Sequence, residues 1–250
     1  AAGAQDFLVK GQVDGRGLER SVRYAVERGR ATVYERDLVA AELRAQENAR
    51  LQRGLLPSPL MDPEQLGLSL FYRPGSERAL LGGDFYDVVQ LPDGRVAALI
   101  GDVAGHGPAA AARATTVRAT WRGAVHHATA PDDALRIVNQ VLLDDEPSEL
   151  FVTALALELS ADSDQACIAL AGHPAPLLLC GDELSDILAP PGPPLGLLED
   201  AAWHAADVQL AAEWTLLLFT DGVVEGRREP GSSQRYGTER LDRLLAAERL

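Results

Sequence analysis

Residues 82–107 read GGDFYDVVQLPDGRVAALIGDVAGHG. Two apolar runs flank Pro92-Asp93-Gly94, and Asp-Gly between apolar runs is a strong hairpin signal, so strands are expected over 84–91 and 95–102. Three aspartates, Asp84, Asp87 and Asp102, stand beside glycine-rich turns at the ends of these runs. Arg95 is the only lysine or arginine in the stretch, so carboxylates aimed at a sheet edge are left without a nearby cation.

Working outward, the glycine turn after Asp102 leads into an alanine-rich segment expected to be helical over 108–126, and a second helix is expected over 131–144. Strands follow near 151–159, 165–171, 175–180, 207–209 and 214–220, with Pro190 to Pro194 as a loop and a last helix over 237–249. Upstream, 66–73 reads as a strand. Leu55-Leu56-Pro57-Ser58-Pro59 ends a helical region, because proline lacks the donor and biases its predecessor out of helix. From Gly17 to Gln52 the chain is rich in Arg, Glu, Ala and Leu without proline, which gives one long helix or two consecutive ones. Ala31, Tyr34, Leu38, Ala41, Ala45, Asn48, Gln52 and Leu55 keep a three-four spacing. They form either a dimeric coiled-coil seam or a face packed on the chain's own domain. Strands in antiparallel runs with helices inserted in blocks give an α+β class.

The composition narrows the chemistry. The chain has 250 residues, 46% of them hydrophobic, enough for at least one full core. A net charge of −14 argues against nucleic acid or an anionic membrane as partner, since both need a basic patch. Cys167 and Cys180 have no metal-ligand spacing and make no disulfide framework, which fits a reducing cytoplasm. No apolar run is long enough to span a bilayer. Lys10 is the only lysine, so a P-loop, a lysine Schiff base and a Ser-Lys dyad are excluded. The cysteine-phosphatase spacing, Cys then Arg six positions on, fails because Cys167 meets His173 and Cys180 meets Asp186.

Asp84 follows Gly-Gly, Asp102 follows AALIG and Asp221 follows LLLFT, so each lies at the end of an apolar strand. A turn aspartate often caps backbone amides, but three such residues behind interior strands form a pattern. Hard oxygen ligands without histidine or cysteine select magnesium, manganese or calcium. Two divalent ions about 4 Å apart repel by roughly 17 kcal/mol at an effective dielectric of about 20, so several carboxylates are then obligatory.

GGDFYDVV, GDVAGHGPAAA, ELFVTALALEL, AGHPAPLLL, PPGPPLGLL and FTDGVVEGR, in this order, resemble the SpoIIE/RsbU-type bacterial branch of the metal-dependent, protein phosphatase 2C-like serine/threonine phosphatases, over about residues 54–245. The resemblance implies a four-layer α/β/β/α sandwich of two antiparallel sheets with Mn2+ or Mg2+ in a two-metal site at one edge. It implies Asp84 and Asp102 as ligands, the backbone carbonyl of Val103 as a further one, and Asp221 in the same cluster. Asp87 is either an outer partner, a ligand through water, or a strand-edge residue. His106 in GHG is either a general acid or the residue that orients the glycine turn. His173 is expected to pack at a strand bend and Glu225 and Arg227 to be loop residues that could meet substrate.

The family's last metal aspartate opens a final strand in an Asp-Asp-x-Thr motif. Only Asp242, in the expected last helix, stands in the corresponding region, so the chain is expected to stop before that ligand. AGAQDFLVKG and the following LERSVRYAVERGRA resemble the end of a response-regulator receiver domain, with Lys10 as its phosphoryl-contacting lysine. The expected organisation is a receiver remnant over 1–28, a helical signalling linker over 29–53 and a phosphatase domain over 54–250. The implied function is hydrolysis of phosphoserine or phosphothreonine by water activated at the metal, as the output of a two-component response regulator. A phosphorylated STAS-type anti-sigma-factor antagonist is the implied substrate, a sensor kinase acts through the receiver, and the linker is a candidate homodimer seam. The alternative is a catalytically silent regulator that binds such a partner.

Overall fold

The computed structural model describes residues 14–55, 58–62, 66–72, 83–145, 150–181, 183–226, 235–237, 240–241 and 243–244, with positions 41 and 44–55 given by backbone alone. They divide into two units, one through Leu51 and one from Gln52 onward. The first unit carries α1, Gly15–Leu55, a single continuous helix of 41 residues. Asp14 starts it: its Oδ1 accepts the Gly17 N–H at 2.7 Å, which satisfies one of the otherwise unpaired amides of the first turn. Glu19 and Arg23 pair one turn apart at 2.7 Å. Of the expected seam, Ala31, Tyr34 and Leu38 are described with side chains and the remainder are not. The receiver-like strand with Lys10 lies outside the described residues, as do Arg227 and Asp242.

The second unit is built on two sheets. In the first, β1 (Phe85–Gln90), β2 (Val96–Val103), β3 (Val152–Leu159) and β4 (Gln165–Ala171) are antiparallel neighbours in that order. β7 (Pro191–Gly192) then pairs parallel with β4, and β8 (Ala206–Gln209) pairs antiparallel with it. The second sheet has the order β6 (Glu183–Asp186), β5 (Leu177–Cys180), β9 (Thr215–Leu217). Helices α2 (Pro108–Ala124) and α3 (Pro131–Asp144) lie on one face of the first sheet, where Val117, Trp121, Leu135 and Val138 pack on Phe85, Leu99, Val103 and Ala156. Val88, Val96, Leu155, Leu157 and Ile168 occupy the other face and meet Leu178, Leu216 and Leu218 of the second sheet. The outer side of the second sheet, at Leu177, Leu217 and Phe219, is covered by Val224 of α4 (Gly222–Glu225) together with Tyr236 and Leu241. The result is the expected α+β layering of α/β/β/α, with the parallel pairing of β7 and the single parallel bridges of Leu60 with Val89 and of Ala154 with Gly172 as departures from purely antiparallel sheets.

Three local expectations are corrected. Residues 66–72 form no strand: the free edge of β1 is already taken at Leu60, which donates to Val88 O at 2.9 Å and accepts from Gln90 N at 2.7 Å. Without a partner edge, the alternating Leu68 and Leu70 stay exposed. Strand β6 was not expected, because ELSD is too short and polar to signal one, and β9 ends at Leu217, short of the expected residue 220. Residues 218–220 instead lead into the turn that holds Asp221.

The third correction concerns Asp87, which lies on the edge strand β1 but is buried there and turned away from the other aspartates. It shares the helix-facing side of β1 with Phe85 and Val89 and is 1% exposed. Arg122 of α2 donates to its two oxygens at 2.5 and 3.1 Å, and Arg118, one turn earlier, stands 3.7 Å away. Its neutralising charge is therefore arginine from a helix 31 or more residues along the chain. Removing one member of a buried ion pair leaves the others uncompensated. Asp87→Asn is expected to lower stability by about 3 kcal/mol, which for a domain of this size lowers Tm by roughly 6–12 °C in thermal unfolding.

Candidate metal centre

The β1–β2 register decides what faces what. Phe85 pairs with Gly101, and beyond it Val103 N donates to Gly83 O at 3.2 Å, so Asp84 and Asp102 are opposed between these two pairs. The parity of the ladder is set by the turn, where Leu91 N donates to Arg95 O at 2.7 Å. Asp84 and Asp102 thus form a non-hydrogen-bonded pair, the kind whose Cα atoms approach to about 4.5 Å and whose side chains lie closest. Both side chains fall on the face that carries Ala98 and Ile100, toward the second sheet. Gly83 is required beside them: a Cβ there would stand 2.3 Å from the Val103 carbonyl oxygen and 2.6 Å from Asp102 Oδ1.

Asp221 comes from the second sheet. It opens the turn after β9, and its charge acts on both Asp84 and Asp102. Burial lifts the Asp84 carboxyl above the usual range; the Thr220 hydroxyl bonded to it works the other way, and the Asp221 charge raises it further. Asp102 is pushed up to about 7, first by burial, then by the charges of Asp84 and Asp221, and by a hydrogen bond with Asp84. Two carboxyls sharing a hydrogen bond beside a third carboxylate hold a proton that a cation would displace. Among the described residues, no ion pair reaches any of the three. All available donors are hard oxygens, which fit Mg2+ or Mn2+ and not a thiolate-seeking metal. The three are not drawn into a closed shell: among the described residues no group of three acidic, histidine or cysteine side chains is gathered tightly enough to enclose an ion. Asp84, Asp102 and the Val103 carbonyl side would hold the cation, with Asp221 nearby and water completing the sphere.

Other sequence-derived candidates are placed apart from this cluster or beside it. His106 lies exposed on the loop between β2 and α2, between Gly105 at φ 103° and Gly107 at φ 94°. Asp87 belongs to the helix face described above, and Glu225 is exposed and bonded to Arg235. Two residues not singled out for the site stand next to it. Thr153 is the cross-strand partner of Asp102, and its hydroxyl lies 3.0 Å from Nδ1 of His173. His173 is buried, which pulls its pKa down to about 4 and keeps the ring neutral. Only the β2–β3 register reveals Thr153, whereas the Gly82-Gly83 doublet before Asp84 was the available signal for the close approach at Gly83.

Comparison with known proteins follows the same lines. The chain is 26% identical over 180 residues to the phosphoserine phosphatase RsbP of Bacillus subtilis, covering 70% of this chain and 44% of that protein. It is 26% identical over 194 residues to the phosphoserine phosphatase RsbU of the same organism, covering 77% of this chain and 57% of that protein. The chain thus spans about half the length of these curated relatives. Among solved structures, the SiaA-PP2C domain of Pseudomonas aeruginosa superposes with a TM-score of 0.66 at 22% identity, over 88% of this chain and 85% of that one, a likeness of fold. The family model for stage II sporulation protein E matches residues 92–250, and the chain accordingly belongs to the SpoIIE family.

Proposed function

We propose that the second unit is a metal-dependent protein phosphatase that hydrolyses phosphoserine or phosphothreonine. The observation that carries the reading is that Asp84 and Asp102 share a hydrogen bond within reach of the Asp221 charge, at the ends of two sheets, with no arginine or lysine among the described residues ion-paired to them. A divalent cation bound there supplies Lewis acidity toward the phosphoryl oxygens and lowers the pKa of a water. The chain's own residues hold and orient: Asp84 and Asp102 would release their shared proton to water as the ion binds, Thr220 fixes the rotamer of Asp84, and Gly83 leaves room beside the Val103 carbonyl. His106, exposed four residues after Asp102, is the candidate proton donor to the leaving serine oxygen.

The relatives' names, phosphoserine phosphatases RsbP and RsbU, support a phosphoserine substrate, and the proposed one is a phosphorylated STAS-type anti-sigma-factor antagonist. Residues 1–28 are proposed as the end of a receiver domain that a sensor kinase addresses. Residues 29–53 are a signalling linker and dimer seam, residues 54–250 are the phosphatase domain, and the cytoplasm is the compartment. Among the described residues no helix is long and apolar enough to cross a membrane.

Manganese-dependent hydrolysis of an aryl phosphate and of a phosphoserine peptide tests the reading. Asp102→Asn is expected to lower the rate by about 100-fold or more, since even outer partners of a metal ligand are worth 10–100-fold. Hydrolysis that persists in chelator would overturn the reading. Gly83→Ala is expected to act similarly while leaving the apolar core intact, because its Cβ would strike backbone and a carboxylate, not a flexible side chain.

The raised Asp102 pKa fixes the sign of the pH dependence. Folding takes up a proton between the ordinary carboxylate pKa near 4 and the folded value of about 7, so the metal-free chain loses stability as pH rises through that window. Mn2+ must displace that proton, and its apparent affinity is expected to fall up to about tenfold per pH unit below 7 and level off above it. Titrations of Mn2+ binding and of Tm between pH 5 and 8 check both.

A further inference from the structure

We propose that His173 is a positioning residue for the carboxylate cluster, tying the strand end that carries Asp102 to the crossing of the chain between the two sheets; the inference rests on the metal-centre reading above. The chain crosses from one sheet to the other between β4 and β5, at Gly172 to Pro176. The crossing is fixed at its start: Gly172 has φ 66° and donates to Gly192 O at 2.8 Å, and a Cβ on it would stand 2.7 Å from Pro194 Cγ. The next residue is His173, 7% exposed.

Its ring is bonded to the strand beside Asp102. Nδ1 lies 3.0 Å from Thr153 Oγ1, and Thr153 is the direct cross-strand partner of Asp102. The same hydroxyl is 3.5 Å from the Asp102 carbonyl, so its single proton goes to the nearer imidazole nitrogen and the ring proton sits on Nε2. Burial pulls the ring pKa down, the Phe219 backbone acts the other way, and Nε2 has no partner at hydrogen-bond geometry. Phe219 immediately precedes Thr220, which bonds Asp84, and Asp221.

A physical constraint gives this placement its purpose. The two sheets meet through leucine, isoleucine and valine, and apolar burial is non-directional, so it resists sliding only through side-chain interlock. An ion held by Asp84 and Asp102 with Asp221 of the second sheet nearby needs the strand end that carries them fixed relative to that sheet. A buried polar ring with an unfilled donor is destabilising relative to an aliphatic residue of similar size, so packing alone does not account for a histidine here.

The test is Mn2+ affinity of this chain, read from the paramagnetic resonance signal of the free ion, beside thermal unfolding. Wild type is expected to bind and Asp102→Asn to fail. Thr153→Val and His173→Gln are expected to bind about 10–100-fold more weakly, the range for partners behind a metal ligand, with melting temperatures close to wild type. His173→Asn is expected to restore most of the affinity, because its amide oxygen takes the place of Nδ1 and can accept from Thr153. Wild-type affinity in both Thr153→Val and His173→Gln, with Asp102→Asn still inactive in binding, overturns the inference and leaves the metal centre standing. Equal losses in His173→Asn and His173→Gln, with melting temperatures falling in parallel, reduce His173 to a packing residue and overturn it as well. Absence of Mn2+ binding by wild type overturns the metal centre and the inference together.

Discussion

The opposition of Asp84 and Asp102 across a narrow, non-hydrogen-bonded pair of β1 and β2 is the constraint on which the rest of the second unit depends. Side chains in such a pair are held nearer than in any other cross-strand relation, so two carboxylates placed there repel strongly unless a proton or a cation lies between them. The pair survives only if the register is fixed, because a slip of one residue would turn both side chains to the helix face. Fixing it falls to the turn. Gly94 adopts φ 90° there, and Arg95 is tied both to Asp93 at 2.8 Å and to Glu158 of β3 at 2.5 Å. The turn is thereby anchored to a third strand, at the end of the hairpin opposite the carboxylates.

The hairpin, the two long helices on its far side and the residues Asp84, Asp102 and Asp221 were legible in the sequence because each depends on local signals: Asp-Gly between apolar runs, proline at the first helical position, aspartate directly after an apolar strand. What sequence proximity misrepresents is the relation among neighbours. Asp84 and Asp87 are three residues apart, and strand alternation sends them to opposite faces of the sheet. One goes to a carboxylate cluster and the other to Arg118 and Arg122. The arginines were invisible as its partners because their contact requires α2 to lie across β1, which no spacing encodes. Residues 66–72 mislead in the converse way: the alternation is present, but a strand needs an edge to join, and Leu60 occupies that edge. Thr153 beside Asp102 is likewise a fact of register between strands 51 residues apart.

The buried polar side chains show how a four-layer sandwich is kept in alignment. Asp87 and Asn139 each join two elements that the apolar core merely presses together. Asp87 ties β1 to α2. Asn139 of α3 accepts the Gly196 N–H at 2.7 Å and donates to Leu198 O at 3.0 Å, which pins the PPGPPLGLL segment to the helix layer. That segment in turn exchanges hydrogen bonds between Leu195 and Val152, the first residue of β3 and the partner of Val103, at 2.8 and 3.0 Å. His173 stands at the remaining junction, between the sheets. Hydrophobic burial sets which layers meet, and directional bonds made in a low-dielectric interior set how they register. A carboxylate cluster assembled from two sheets needs the second kind of information more than the first, and in this fold one line of polar contacts runs from α3 through Gly196 and Leu195 to Val152, next to Thr153 and its cross-strand partner Asp102.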